Sequence, residues 1–567
     1  MAHVLPTRQE WHEMFNNLSR REKILFLVFF LGAWVSGTLI FIRIDTIYST
    51  RLPASGGTLT EGIVGTPRFI NPLLAISDAD RDLTRIIYAG LMRPDKDGNF
   101  VPQLAERYKV SDDGLEYIFT LRDDLYWHDG EKLTTEDVAF TIELAKNPAI
   151  RSSKLANWEG VNVEILSDRE IKFTLNRPYA PFLGNTILGI MPKHKWKDIS
   201  PEAFSLALLN TQPIGSGPFK VDSVSKNDST GIITSYTLER FNRYRPQSAY
   251  LNKVIFRFYQ TEEDLARALT NGAVEAAGVE PDEIPKGSKL IRIRLPRVVG
   301  VFFNQDKAPL LHDIELRKAL SLATNRDRIV QEVEHGYATP TSLPIPPGTF
   351  AHASTLEELS YDPSAARALL EGAGYEDPDN DGLFEKVSKK ERTKVEFTLA
   401  TLQTPELTRV AELLAEMWRS AGVDIKIARY EPGDFEQSVI RPRDYDMLLF
   451  GQNMGYDNNP YGFWHARQIK HPGSNIALYA NTKVDGYLEN AQTTTSVEKR
   501  EELYKFFQQE ITRDKPAVFL YSPSYVYVVP EKLMGIDFSV ISFPQERFSN
   551  IESWSTNTKS VWNIFVR

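Results

Sequence analysis

Asp377, Asp379 and Asp381 alternate ahead of Gly382. That is the spacing of oxygen ligands at positions one, three and five, with glycine at six, in a calcium-binding loop. Glu385 falls at position nine, where it can help through a water. Ser388 stands at position twelve, where an EF-hand requires a bidentate glutamate, so the segment is no EF-hand. Two readings stay open: an exposed Asx-rich turn and a weak structural calcium site. No other cofactor is expected. The nine histidines form neither an H-E-x-x-H pattern nor a close pair, which gives a dedicated zinc or nickel site little support. Gly215-Ser216-Gly217 falls short of a full G-x-S-x-G elbow, and no G-x-x-x-x-G-K phosphate loop occurs. The chain has no cysteine, which excludes disulfides, zinc thiolates, thiol nucleophiles and cysteine lipidation. None of these patterns supplies a catalytic constellation, and recognition is the other chemistry to look for. The stretch best suited to it is 445–464, YDMLLFGQNMGYDNNPYGFW, whose loop 451–460 mixes Gly, Gln, Asn, Tyr, Asp and Pro.

A recognition loop needs rigid elements to aim it. Met447, Leu448, Leu449 and Phe450 form an apolar run of the length expected for a strand buried on both faces. Upstream, Val395, Phe397 and Leu399 alternate with polar neighbours. Thr404 can cap a helix opened by Pro405, with Leu407, Val410, Leu414 and Met417 on one face. Gly422 ends it, and Val423, Ile425 and Ile427 alternate again. Strand, helix and strand with short connections read as a parallel crossover unit. In open parallel sheets ligands sit beyond the carboxyl ends of strands, so 451–460 is expected to edge a binding cleft; an ordinary surface turn is the alternative.

The chain of 567 residues is too long for one core, and two to four domains are expected. Its net charge of -9 argues against a nucleic-acid partner held by bulk charge. Residues 24–42 carry no charge, and a helix of that length spans roughly 28 Å, close to the hydrocarbon thickness of a bilayer. Arg20, Arg21 and Lys23 crowd its amino side, so this end is expected in the cytoplasm and the body outside. The apolar core is long, and Arg43-Ile44-Asp45 offers no small-x-small cleavage site, which favours an uncleaved anchor over a signal peptide. Residues 49–57, STRLPASGG, read as a flexible tether.

Several stretches carry a more specific pattern. Pro102, Leu104-Ala105, Asp113-Gly114, Tyr117, Phe119, Leu121-Arg122, Trp127-His128-Asp129-Gly130, Thr135 and Glu136-Asp137-Val138 follow one another in 102–141. They resemble the signature of the family 5 extracellular solute-binding proteins, the peptide- and nickel-binding receptors of bacterial ABC importers. The resemblance continues through 213–220 (PIGSGPFK), 241–259, 316–335 and 361–375 (YDPSAARALLEGAGY), and covers about 57–567.

The resemblance implies an α/β fold of the type II periplasmic-binding-protein kind: a Y-shaped, two-lobed receptor with an extra inserted domain, here preceded by one N-terminal transmembrane helix. The hydropathy and charge reading adds a cytoplasmic stretch at 1–23, the anchor at 24–42 and a linker at 43–56. A discontinuous first lobe would hold 57–88, 205–297 and 516–567, with 89–204 inserted and 298–515 as the second lobe. The hinge would lie near Pro296 and Pro516. In the family's peptide receptors the loop after the strand gives backbone contacts to peptide and an Asp that pairs with its ammonium group. By that analogy Gln452, Asn453 and Met454 offer strand-like pairing, and Asp457 is the amine partner. Asp457 stands three residues before Pro460 rather than the usual four, a place Tyr456 takes. Trp464 would wall a side-chain pocket or, as is commoner for such a ring, sit in the core, and Ser77 and Asp78 would touch ligand from the first lobe. The implied partners are a peptide or peptide-like solute, permease subunits and the membrane. A monomer without enzyme activity is expected; a cell-surface hydrolase, or a solute sensor on the same fold, is the alternative.

Overall fold

Valine, tyrosine and phenylalanine dominate AVFLYSPSYVYVVP, and such residues favour a pleated, well-packed strand. The computed structural model describes residues 8–280, 283–387, 392–455 and 459–562. It makes this segment, Ala517–Pro530, the shared strand of a 12-stranded sheet. The first part of the strand pairs antiparallel with Arg297–Phe303, from Ala517 opposite Phe302 to Tyr521 opposite Val299. The rest pairs with Ser288–Arg294, from Ser524 opposite Arg294 to Pro530 opposite Ser288. The chain therefore passes between the halves of the sheet twice, at 295–296 and 522–523. The two passages lie side by side, with Ser522 Oγ donating to Leu295 O at 3.2 Å. The second passage is not at Pro516: residues 517–521 still pair in the second lobe, because an unbroken strand keeps its ladder groups bonded up to the change of partner.

On the first-lobe side, Ala276–Ala277, Thr58–Val64, Lys253–Tyr259, Ile233–Arg240 and Phe219–Lys226 follow in order. Leu59, Ile86, Tyr236, Phe256 and Trp554 fill the core against them. On the other side, Arg297–Phe303 is followed by Met447–Asn453, Glu396–Leu402 and Asp424–Tyr430. The last two are parallel and joined by the helix Pro405–Ser420, which Thr404 caps by accepting from Leu407 N. The expected crossover unit is thus present. Met447–Asn453 runs parallel to Glu396–Leu402 but antiparallel to Arg297–Phe303, so this half of the sheet is mixed.

A separate four-stranded antiparallel sheet orders Ala105–Val110, Glu116–Leu121, Glu170–Leu175 and Val161–Ile165. The helix Thr135–Lys146 packs on it, opened by a capping box in which Thr134 and Asp137 bond each other's backbone. Trp127, Trp158 and Trp196 anchor its core.

At the amino end, the helix Arg20–Tyr48 contains a segment, Arg20–Arg43, long and apolar enough to cross a membrane. The tether expected at 49–57 is largely a strand instead. Ser49–Ala54 pairs antiparallel with Asn557–Trp562 in full register, from Ser49 opposite Trp562 to Ala54 opposite Asn557. A partner strand from the far end of the chain supplies the bonds that a short polar sequence cannot make alone.

Candidate functional site

The helix Asp78–Ile87 aims one polar face into a cavity of about 420 Å³ between the lobes. Arg81, Thr84, Arg85 and Tyr88 stand at the i, i+3, i+4, i+7 spacing that shares a helix face, and all four line the cavity. The inserted domain contributes Phe100, Lys154, Tyr179 and Asn185; the loop after Met447–Asn453 contributes Met454, Gly455 and Asn459; the carboxyl-terminal segment contributes Phe543, Gln545 and Glu546. A second chamber of about 430 Å³ shares Phe100 and Gly455 with the first and extends past Tyr108, Thr349 and Arg500. The cleft is drawn shut by hydrogen bonds between its walls. Ala180 N donates to Gln492 O at 2.8 Å, and Asn453 Nδ2 to Ser542 O at 3.2 Å.

Polar atoms inside the first chamber lack partners. Thr84 Oγ1, Tyr88 OH and Gln545 Oε1 are buried with no hydrogen-bond partner among the described residues, an arrangement that is costly unless a ligand or water completes it. Burial pushes the Tyr88 phenol above its ordinary range, so it stays a neutral donor. Lys154 remains open to the cleft, yet its ammonium is crowded by protein. Desolvation, and then the charge of Arg81, hold its pKa below that of an ordinary lysine.

The strand reaches further than its apolar run implies. Gly451, Gln452 and Asn453 pair with Val299, Val298 and Arg297, whereas the loop was expected to begin at Gly451. On the opposite edge, pairing with Glu396–Leu402 stops at Leu448 opposite Ala400. Beyond it the edge of 450–453 has no strand partner among the described residues, and the chain reaches the cavity lining at Met454.

The predicted residues divide. Met454 lines the cavity, but its N–H is committed to Pro296 O at 2.8 Å, leaving its side chain and carbonyl. The Gln452 side chain is buried, and neither Oε1 nor Nε2 has a partner among the described residues. Asn453 ties the loop to the first lobe through Ser542. Tyr456 and Asp457 lie outside the described residues. Trp464, for which a pocket wall and a core ring were the two readings, is fully enclosed by Phe302, Tyr479, Phe507 and Phe519. A ring that large buries more apolar surface beneath the loop than in a wet cleft, and it is a core residue. Ser77 and Asp78 are exposed and do not line the cavity. Ser77 caps the helix, its Oγ accepting from Asp80 N at 3.1 Å, so its part is to start the helix whose next turn faces the cleft. Arg81, Thr84, Arg85, Tyr88 and Lys154 were missed; the four-residue polar spacing on the helix was the available signal.

Oxygens of Asp377, Asp379 and Asp381 lie within 4.8 Å of one another. Asp377 Oδ1 is buried without a hydrogen-bond partner among the described residues, a donor set that suits a hard cation. Arg367 Nη2, at 3.3 Å from Asp377 Oδ2, already brings positive charge there.

His128 sits beside Ser216 but cannot serve it as a base. Its Nδ1 accepts from Gly215 N at 3.2 Å, and its Nε2 donates to Gly217 O at 3.1 Å. Both ring nitrogens are occupied by the turn's own backbone, and burial pushes the imidazole pKa down to about 4. Ser216 Oγ is buried with no partner among the described residues, so the pair lacks the geometry of an activated nucleophile.

The family model described as bacterial extracellular solute-binding proteins, family 5 Middle, matches residues 99–471. The oligopeptide-binding protein AppA of Bacillus subtilis is 26% identical over 514 residues, which are 88% of this chain and 92% of that protein. Its solved structure, in complex with a nonapeptide, aligns with a TM-score of 0.68 over 89% of this chain and 99% of that one, at 26% identity. NikZ from Campylobacter jejuni, in complex with Ni(L-His), is 27% identical and aligns with a TM-score of 0.68 over 88% of this chain and 99% of that one.

Proposed function

The chain belongs to the bacterial extracellular solute-binding proteins of family 5, and from that premise we propose that it holds a peptide between its lobes and delivers it, chemically unchanged, to the permease of an ABC importer. The observation that carries the reading is the strand edge at 450–453, which has no strand partner past Leu448 among the described residues and leads into Met454 and Gly455, where the chain lines a cavity walled by both lobes and the inserted domain. An extended peptide adds to such an edge through its main chain, while side chains fall into roomy, watered chambers that tolerate many sequences. AppA, solved with a nonapeptide, supports this choice of ligand. Asp457 remains the proposed partner of a peptide's free amino group, and Gln452, Asn453 and Met454 the proposed main-chain contacts. Closure would occur about 295–296 and 522–523, where few residues cross between lobes.

The protein is proposed to be a monomer anchored by the helix at 24–42, with its body outside the cytoplasm. The basic cluster before the helix and its span support this. The aspartates at 377, 379 and 381 are proposed to take calcium weakly. Native mass spectrometry of the full-length protein released from detergent tests both bound species. The expected spectrum shows peptide adducts of unaltered mass and a calcium adduct that EGTA removes. Cleaved peptides, or a protein that selects none from a peptide library, contradict the transport reading; absence of the EGTA-sensitive adduct contradicts the calcium site.

A further inference from the structure

We infer that the solute carries a carboxylate that docks against Arg81 and Lys154 in the cavity between the lobes. This deepens the peptide reading and rests on it for the rest of the ligand. Three cations, Arg81, Arg85 and Lys154, line the cavity, and Glu546 is the one carboxylate among the described residues that do so. Glu546 is engaged elsewhere, with Oε2 accepting from Ser542 N at 2.7 Å. Arg85 donates Nε and Nη2 to the neutral Ser549 Oγ, at 3.2 and 2.9 Å, so its charge is not balanced by that contact. Arg81 reaches Asp78 only at 3.8 Å, and the Asp78 side chain is 66% exposed, a pairing of little strength. Lys154 Nζ has no hydrogen-bond or ion-pair partner among the described residues, the Lys154 hydrogen bonds being those of its backbone, N–H to Ser152 Oγ and carbonyl from Asn157 N–H.

Arg81 and Arg85 of the first lobe and Lys154 of the domain inserted in it stand around one cavity, and like charges so gathered repel one another unless an anion lies between them. Thr84 Oγ1 and Tyr88 OH, unpartnered on the same helix face, are further donors for such a group. A carboxylate takes charge-assisted bonds from a guanidinium and an ammonium together. It can come from a peptide's carboxyl terminus or from an acidic side chain.

Calorimetry on the full-length protein in detergent separates these sources. The probes are tri-alanine as free acid, tri-alanine amide, Ala-Glu-Ala amide and tricarballylate, against wild type, Lys154→Gln and Arg81→Gln/Lys154→Gln. The expected result is that the double variant loses about tenfold or more in affinity for carboxylate probes and keeps its affinity for tri-alanine amide. Loss with tri-alanine acid identifies the carboxyl terminus; loss with Ala-Glu-Ala amide identifies the side chain. Lys154→Gln, an exposed single change, shows the same direction if the double variant fails to fold. Charge-dependent binding of tricarballylate with no binding of any peptide keeps this inference and contradicts the peptide reading. The inference is overturned if no carboxylate probe binds wild type, or if the variants bind them as wild type does.

Discussion

Replacing Arg547 by Met lowers stability by about 3–5 kcal/mol at pH 7.5, the cost of leaving buried charges uncompensated, and much of the loss is regained at pH 5. Arg547 Nη1 and Nη2 reach Asp82 Oδ1 and Oδ2 at 3.0 and 2.5 Å, and Nη2 reaches Glu61 Oε1 at 2.9 Å. Tyr527 OH donates to Glu61 Oε2 at 2.7 Å. Glu61 is 0% exposed, and Asp82 and Arg547 are 2%. The cluster fastens the strand Thr58–Val64, the helix Asp78–Ile87 and the strand Ala517–Pro530 together, so it holds the cavity-facing helix in place. Burial pushes both carboxyls above their ordinary values, and Arg547 opposes that shift. Without the guanidinium their folded-state pKa values rise further. A carboxyl with a raised folded pKa contributes stability that is fully present below its unfolded pKa and lost as pH rises through the folded value. The variant must therefore lose more at pH 7.5 than at pH 5. Urea melts of both proteins at the two pH values measure this; a loss equal at both would contradict the assignment of the cost to unpaired carboxylates.

Gly217→Ala is expected to cost about 3 kcal/mol, the upper part of the range for forcing atoms into a packed interior. A Cβ there would lie 2.2 Å from Ile86 O and 2.7 Å from Ile87 C; one on Gly215 would lie 1.9 Å from Ile87 O. These are backbone atoms at the end of the helix Asp78–Ile87, and no rotamer change moves them. Gly217 N donates to Ile87 O at 2.8 Å, so the turn must come this close to bond the helix end. Close approach, not backbone freedom, is the reason for glycine. Ser216→Ala between them is expected to be neutral or slightly stabilising, because it removes a buried hydroxyl without a partner among the described residues. Denaturant midpoints separate the two; a small loss for Gly217→Ala would show that the turn tolerates bulk, and a loss of several kcal/mol for Ser216→Ala would show that its hydroxyl is bonded.

The elements of the second lobe were legible because their signals are local. Thr404-Pro405 opens a helix, and the alternation at 395–399 and 423–427 makes parallel strands. What escaped depends on distant partners. Ser49–Ala54 has no strand signal until Asn557–Trp562 arrives from the other end of the chain. Gly451 to Asn453 look like loop residues, yet Arg297 to Val299 hold them in register. Trp464 carries no mark that separates a pocket wall from a core ring; only the packing of Phe302 and Phe519 around it decides. The cavity face at Arg81, Thr84, Arg85 and Tyr88 was visible as spacing, but which way that face points is set by Arg547, some 460 residues away in sequence.

Movement of one lobe on the other is the centre of this account, and the absence of native cysteines makes it measurable. Spin labels at Lys109→Cys on the inserted domain and Lys499→Cys on the second lobe report their separation by pulsed electron spin resonance. In protein stripped of ligand a longer-distance population is expected, and saturation with a tripeptide library should collapse it into the short distance of the shut cleft that Ala180 and Gln492 bridge. One unchanged distance distribution, with peptide demonstrably bound, would contradict capture by closure.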